Sequence, residues 1–136
     1  MGFQDGVRFA VVHGVTANRT PYLGDFMALI VHDLALEMAR ELRPLLDDIG
    51  RHDPALRQQM QRAAASVVLN IGEAAYSQGR NEIARFHSAA GSASETRSAL
   101  KLALAWGFVP RAPGERVDRL LDRILAMLWR LCRRHR

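Results

Sequence analysis

Apolar residues recur at every third or fourth position along most of this chain, and that spacing predicts amphipathic helices. The first helix begins near Asp25, which can serve as its N-cap, and extends towards Ile49. Its predicted core residues are Phe26, Ile30, Leu34, Met38, Leu42, Leu45 and Ile49. Pro44 predicts a kink or the end of the regular helix, and Gly50 predicts its stop.

The second helix has a clear start signal. Asp53 is followed by Pro54, and proline is favoured at the first helical position because its missing N–H would have no partner there. This helix is predicted to reach about Tyr76 or Ser77. Its broad apolar face contains Leu56, Met60, Ala63, Val67, Ile71 and Ala74.

Glycines and prolines bound two further helices. Gly79 ends the second helix, Asn81 is the predicted cap of the third, and Gly107 ends the third. After a loop with two prolines, a fourth helix runs from about Glu115 into the C-terminal arginines. Because the loops are short and no segment has strand character, we predict an all-α fold, an antiparallel up-down four-helix bundle.

Length and composition bound the remaining possibilities. The 136 residues suffice for one domain, which we place at residues 23–136. Residues 1–22 hold three glycines, a proline and one short apolar run, so we expect a flexible or loosely docked N-terminal extension. Apolar residues make up 49% of the chain, which argues against a disordered protein. The single cysteine, Cys132, predicts a reducing, cytoplasmic location, and we recognise neither a signal peptide nor a membrane span.

A narrow polar stripe interrupts the apolar residues of the second helix. At about 100° per residue, its members lie within about 60° of one another. They are Gln59, Ser66, Asn70, Glu73 and Ser77. A weaker apolar set, which includes Leu69 and Tyr76, covers much of the other side, and a helix that is apolar on nearly all sides predicts self-association. We interpret Asn70 and Glu73, together with Glu95 of the third helix, as satisfied, buried polar groups that fix helix register, with a catalytic role as the sharper alternative.

The third helix repeats this theme with small residues. Ser88, Gly91 and Ser92 would let another helix approach closely, and Glu95 beside that contact then needs a partner. The candidate partner of Glu95 is Asn70, Arg62 or Arg80.

The two segments LRQQMQRAAASVVLNIGEA and GSASETRSALKLALAWGFV resemble the four-helix bundle family that includes the proteins encoded in intervening sequences of bacterial 23S ribosomal RNA genes. The residues that match its pattern are Gln59, Arg62, Ala63, Ala64, Ser66, Asn70, Ile71, Glu73, Gly91, Ser92, Glu95, Leu100, Leu102, Ala103, Gly107 and Phe108. The sequence departs from the pattern at Gln61, Ala74 and Arg85, where the family has an arginine, a glycine and an aromatic residue.

The resemblance implies small bundles that assemble into rings, typically homopentamers. A related branch serves as the accessory protein to the reverse transcriptase of diversity-generating retroelements, where the basic barrel engages nucleic acid. The resemblance attaches no enzymatic activity to the fold. It also implies that the matching residues Ser66, Asn70, Glu73 and Glu95 are bundle and subunit-interface residues.

Positive charge is concentrated at the C-terminus. Residues 114–136 hold seven arginines and three acidic residues, which is +4 of the chain's net charge of +5. The candidate nucleic-acid-binding residues are Arg119, Arg123, Arg130, Arg133, Arg134 and Arg136. Asp118 and Asp122 lie beside these arginines on the fourth helix and are expected to neutralise part of their charge. Arginines in a last helical turn also complement the helix dipole without any ligand, so a solvated helix end is the competing interpretation.

Little in the sequence indicates an enzyme. No glutamate is followed three residues later by histidine, so the di-iron pattern of helical bundles is absent, and no histidine pair has metal-ligand spacing. His32, Asp33 and Glu37 can line a small site on the first helix, although a solvated polar face explains them more simply. Cys132 lies among arginines that would lower its thiol pKa, but no catalytic partner is implied. We predict no cofactor, no metal and no catalytic residue.

Two functions from different classes therefore stay open. The first is a non-catalytic oligomer that binds RNA or DNA, with an accessory role to an RNA-handling enzyme such as a reverse transcriptase. The second is an oligomeric scaffold whose basic helix end meets an acidic protein partner. Salt-dependent binding separates them, because phosphate contacts release counterions.

Overall fold

A computed structural model describes residues 23–133 of the chain, and all the secondary structure in this range is helical. The four helices are α1 (Leu23–His52), α2 (Pro54–Ala74), α3 (Arg80–Ala105) and α4 (Arg111–Arg133). Each helix packs against the next along the chain, and α4 packs against α1 to close the bundle. The connections are short, so neighbouring helices are antiparallel, and the predicted up-down four-helix bundle is confirmed. The predicted extension of residues 1–22 lies outside the described residues.

The core is formed by one apolar stripe from each helix. Its largest fully buried side chains are Met38, Leu42, Leu45, Ile49, Met60, Ile71, Phe86, Leu100, Leu121, Ile124, Leu128 and Leu131. The predicted core residues of α1 are buried from Leu34 to Ile49, but Phe26 and Ile30 are 45% and 51% exposed. A strict four-residue spacing rotates by about 40° per step on an α-helix, so both residues have turned away from the stripe that contains Met38. Val31 and Ala35 are buried in this part of α1 instead.

The predicted ends of α1 are wrong by a few residues. The helix begins at Leu23, places Asp25 in its first turn, and continues through both Pro44 and Gly50 to His52. Gly50 does not stop it, because the backbone N–H of Asp53 still donates to the carbonyl of Ile49 at 2.7 Å.

The start of α2 is confirmed. Asp53 has an extended backbone, its carboxylate accepts a hydrogen bond from the N–H of Leu56 at 3.0 Å, and Pro54 is the first helical residue. Asp53 is also the whole connection between α1 and α2. The helix ends at Ala74, two or three residues before the predicted end, and i→i−3 hydrogen bonds tighten the chain as far as Ser77.

Gly79, not Asn81, is the cap of α3. Its φ of 60° favours glycine, and its carbonyl accepts the bond from the N–H of Ile83 at 3.2 Å, so Asn81 already lies inside the helix. At the other end Gly107 has a φ of 73°, and the N–H of Phe108 donates to the carbonyl of Ala103 at 2.9 Å. This is a Schellman motif, which agrees with the predicted stop at Gly107.

α4 begins at Arg111, four residues before the predicted start. Pro113 and Gly114 were predicted to lie in a loop, but they form the first turn, where a proline N–H is not needed. Gly114 is buried, and a Cβ there would lie 2.6 Å from Cδ2 of Leu104. A helix can therefore start close against α3 at this point.

Candidate nucleic-acid interface

α4 separates a buried apolar side from an exposed basic side. The buried side consists of Val117, Leu120, Leu121, Ile124, Leu128 and Leu131. The exposed side carries Arg119, Arg123, Arg130 and Arg133, which lie within about 80° of one another on the helix and which we call the α4 arginine face. Two further predicted binding residues, Arg134 and Arg136, lie outside the described residues.

The two aspartates beside this face bind an arginine of α3. Nε of Arg97 lies 2.9 Å from Oδ1 of Asp118, and Nη1 of Arg97 lies 3.0 Å from Oδ1 of Asp122. The hydrogen bond to Asp118, together with the charge of both carboxylates, raises the pKa of the Arg97 guanidinium. Asp118 and Asp122 therefore neutralise less of the charge of the α4 arginines than predicted, because both carboxylates bind the guanidinium of Arg97. The sequence analysis missed Arg97, since nothing local to α4 identifies a partner 21 residues away.

The α4 arginine face has no ion pair with any residue in the range 23–133. Arginines at the start of the same helix behave differently. Arg111 pairs with Glu115 at 3.2 Å, and Arg116 pairs with Glu41 of α1 at 3.5 Å. The unpaired cations therefore occupy the part of α4 that follows its first two turns.

An aromatic residue borders the α4 arginine face on the side of α3. Trp129 is 43% exposed, and its ring meets the ring of His87 edge to face, with centroids 5.9 Å apart and planes at 69°. The sequence analysis did not single out Trp129. Its place directly before Arg130 and four residues before Arg133 was the available signal.

The polar stripe of α2 faces α3, and its groups find partners there or on α2 itself. The hydroxyl of Ser92 donates to Oγ of Ser66 at 2.8 Å, and Nδ2 of Asn70 donates to Oγ and to the carbonyl of Ser66. At one end of this row of contacts, Nε2 of Gln59 donates to Oε1 of Glu95 at 3.3 Å. At the other end, Nη1 of Arg85 lies 2.7 Å from Oε2 of Glu73. We call these seven residues the α2–α3 polar ladder: Gln59, Ser66, Asn70, Glu73, Arg85, Ser92 and Glu95.

Two details of the prediction for this ladder are wrong. Glu73 and Glu95 are exposed, not buried, because they sit at the outer edge of the contact. The partner of Glu95 is Gln59, whereas Asn70 bonds within its own helix, and Arg62 and Arg80 form no ion pair within residues 23–133. The register of α2 relative to α3 brings Gln59, and not Asn70, within hydrogen-bond distance of Glu95.

The outer sides of α2 and α3 expose apolar and small residues. Leu69 of α2 and Tyr76, in the turn that follows α2, are each 63% exposed, in agreement with the weaker apolar set predicted there. On α3, Gly91 is exposed, and a Cβ added to it would have no described neighbour within 4 Å. None of the four described helices covers this position.

The other candidate groups do not form a catalytic arrangement. Asp33 and Glu37 line an open groove of about 410 Å³ on α1, but His32 lies on the α2 side, where its Nε2 would be 3.7 Å from a Cβ at Gly72. Cys132 is buried, and that burial raises the pKa of its thiol, contrary to the lowered value expected from the nearby arginines. No group of three potential metal ligands occurs among the described residues.

Comparison with known proteins identifies the class. A sequence model of the 23S rRNA-intervening sequence protein family matches residues 27–130. The chain thus belongs to the family of 23S rRNA-intervening sequence proteins, as the resemblance of the second and third helices predicted. None of the curated proteins compared matches it.

One solved structure shows the same fold. It is the crystal structure of a protein with unknown function from the S23 ribosomal protein family of Bacteroides thetaiotaomicron, with a TM-score of 0.69 and 24% sequence identity. The alignment covers 76% of this chain and 98% of that chain. Within the described helices, none is long and apolar enough to span a membrane.

Proposed function

We propose that this protein is a non-catalytic, cytoplasmic homo-oligomer that binds RNA or DNA through the α4 arginine face. The observation that carries the proposal is the set of four exposed arginines that form no ion pair in the range 23–133. Exposed guanidinium groups bind phosphate oxygens with paired hydrogen bonds. From Arg119 to Arg133 the face extends about 20 Å along the helix, which is long enough to follow several phosphates.

The helix dipole explains only part of this face. Arg130 and Arg133 lie in the last turn of α4, where cations interact favourably with the carbonyl end of the helix. Arg119 and Arg123 lie at least two turns earlier, beyond the reach of that effect. They are therefore the residues that favour a ligand over a merely solvated helix end.

Assembly of several copies would strengthen such binding. Exposed Leu69 on α2 and exposed Tyr76 just after it favour contact with another copy, and the family resemblance suggests a ring of five. A ring repeats the α4 arginine face in every subunit, so a weak contact becomes avid without any new interaction. An accessory role to an RNA-handling enzyme, such as a reverse transcriptase, is the function that fits a basic ring without catalytic groups.

Binding to structured RNA and to DNA over a salt series tests the proposal. The variant Arg119→Gln/Arg123→Gln/Arg130→Gln should lower the slope of log affinity against log salt by about 0.9 for each phosphate that is no longer bound. The matched control, Arg40→Gln/Arg62→Gln/Lys101→Gln, removes the same charge from exposed cations that also lack ion pairs within residues 23–133. Absence of wild-type binding at low salt, or equal losses in both variants, would overturn the proposal.

An oligomeric scaffold that meets an acidic protein is the second candidate. The same exposed Leu69 and Tyr76 favour it, because protein interfaces combine apolar anchors with charged rims. A protein that fails to bind nucleic acid but assembles into a defined oligomer would favour this candidate.

A further inference from the structure

We propose that Trp129 is a stacking platform for an unpaired base, so that the ligand of the α4 arginine face is single-stranded nucleic acid. This inference rests on the proposed nucleic-acid binding and adds the kind of strand that is bound. It is carried by an exposed tryptophan ring placed at the edge of a row of unpaired arginines.

The position of Trp129 suits a strand that follows the arginines. On α4 it lies about 40° from Arg133 around the helix axis and directly before Arg130 in the chain. A phosphate held by either arginine would bring the neighbouring base within reach of the indole. Single-stranded nucleic acids are held in this way, by cations along the backbone and aromatic rings under successive bases.

The ring is also partly fixed before any ligand arrives. His87 of α3 meets it edge to face, which supports one edge while 43% of the residue stays exposed. The core does not require this side chain, because Leu128 and Leu131 of the same turn are fully buried and fill the space under α4. An ordered indole beside unpaired cations binds a base at little cost in conformational entropy.

A paired duplex cannot use this platform. Its bases are stacked on both sides, so a protein helix can contact the phosphates and the base edges in a groove, but no base face is free to stack on an indole. A single strand offers phosphates to Arg130 and Arg133 and a free base face to Trp129. The α4 arginine face should therefore bind a single strand more tightly than a duplex of the same length.

Trp106 provides a matched control at the other end of the bundle. It is 58% exposed and also meets an aromatic ring, that of Phe108, with centroids 5.6 Å apart. It follows α3 and lies outside the α4 arginine face. Trp106→Ala removes an exposed indole of the same kind from a place where we expect no strand.

The experiment compares three ligands of about 15 nucleotides: oligo-thymidine, an abasic strand with the same phosphates, and a duplex. Trp129→Ala should weaken binding of oligo-thymidine about tenfold and leave the abasic strand and the salt slope unchanged. Trp129→Phe should retain most of the affinity, and Trp106→Ala should retain all of it. In a Trp106→Phe background, oligo-thymidine should quench the fluorescence of Trp129.

The outcomes separate this inference from the proposed function. If wild-type protein binds none of the three ligands at low salt, both fail. If the arginine substitutions weaken binding but Trp129→Ala does not, phosphate binding stands and the stacking role is overturned. Equal wild-type affinity for the duplex and the single strand overturns it as well.

Discussion

The α2–α3 polar ladder and the α4 arginine face both consist of polar side chains, but these side chains have opposite surroundings. In the ladder, neutral and charged groups bond to each other, as Ser92 does to Ser66 and Arg85 does to Glu73. On α4, four arginines form no ion pair in the part of the chain that the structure describes. The ladder can thus be understood from one chain alone, whereas the guanidinium groups of the arginine face are left to solvent or to a ligand.

The contrast also shows how neighbouring charges are kept apart. Asp118 and Asp122 lie on the same helix as the arginines, yet both bind Arg97 of α3. The same guanidinium therefore stabilises the contact between α3 and α4 and draws two carboxylates away from the arginine face. We therefore expect a change at Arg97 to affect both the stability and the proposed binding.

The largest difference between the two regions should appear when leucine is introduced into each. Ser92→Leu places a branched side chain where two hydroxyl oxygens lie 2.8 Å apart, and we expect a loss of about 1–3 kcal/mol in the free energy of unfolding. Arg130→Leu on the exposed face should change it by less than about 0.5 kcal/mol. Urea unfolding measures both, and equal effects would mean that the contact between α2 and α3 is not tight.

Arg97→Ala should have the next largest effect on the free energy of unfolding, and it should also change the charge beside the α4 arginine face. It leaves the partly buried carboxylate of Asp118 and the exposed carboxylate of Asp122 without their partner, so we expect a loss of about 1–2 kcal/mol after allowance for solvent screening. The free carboxylates should also weaken nucleic-acid binding. Adding Asp118→Asn and Asp122→Asn should restore most of that affinity, and failure to do so would contradict the coupling.

Gly91→Leu should have a small and opposite effect on the subunit. No described atom lies within 4 Å of the added Cβ, and glycine in a helix costs about 0.5–1 kcal/mol relative to alanine, so stability should rise slightly. If another copy packs on this side of α3, the mass of the oligomer measured by light scattering should fall. Ala126→Leu on the exposed side of α4 is the control and should leave the mass unchanged.

The smallest effect concerns Cys132. Burial raises its thiol pKa above the ordinary value of 9.0, so the unfolded chain loses the proton first and stability falls as pH rises through and above that value. The difference in stability between wild type and Cys132→Ala should therefore be constant at neutral pH and change only in alkali. Rapid alkylation of the folded protein at pH 7 would show that the thiol is accessible and ionised.

The fold was largely predictable from local signals, but the pairing of side chains was not. Asp53 followed by Pro54 correctly located a helix start, and Gly107 a helix end, because each acts through its own backbone. The prediction that Phe26 lies in the core was wrong. Residues spaced by four turn gradually around the helix axis, so the ends of a long series no longer face the same side. Gln59 as the partner of Glu95, and Arg97 as the partner of Asp118 and Asp122, were not predicted. Such pairs depend on the register between two helices, and a short sequence segment carries no information about that register.

The one-residue connection at Asp53 leaves the chain no slack. This residue accepts a bond for α2 while its own N–H completes α1, so an inserted or deleted residue must disrupt one helix end or turn the buried side of α2 towards water. In the five-residue connection between Ala74 and Arg80, no single residue has to join two helices directly. A fluorescent label or affinity tag placed near Gln78 would leave both helix pairs intact, so this turn is the natural place to attach a reporter for assembly.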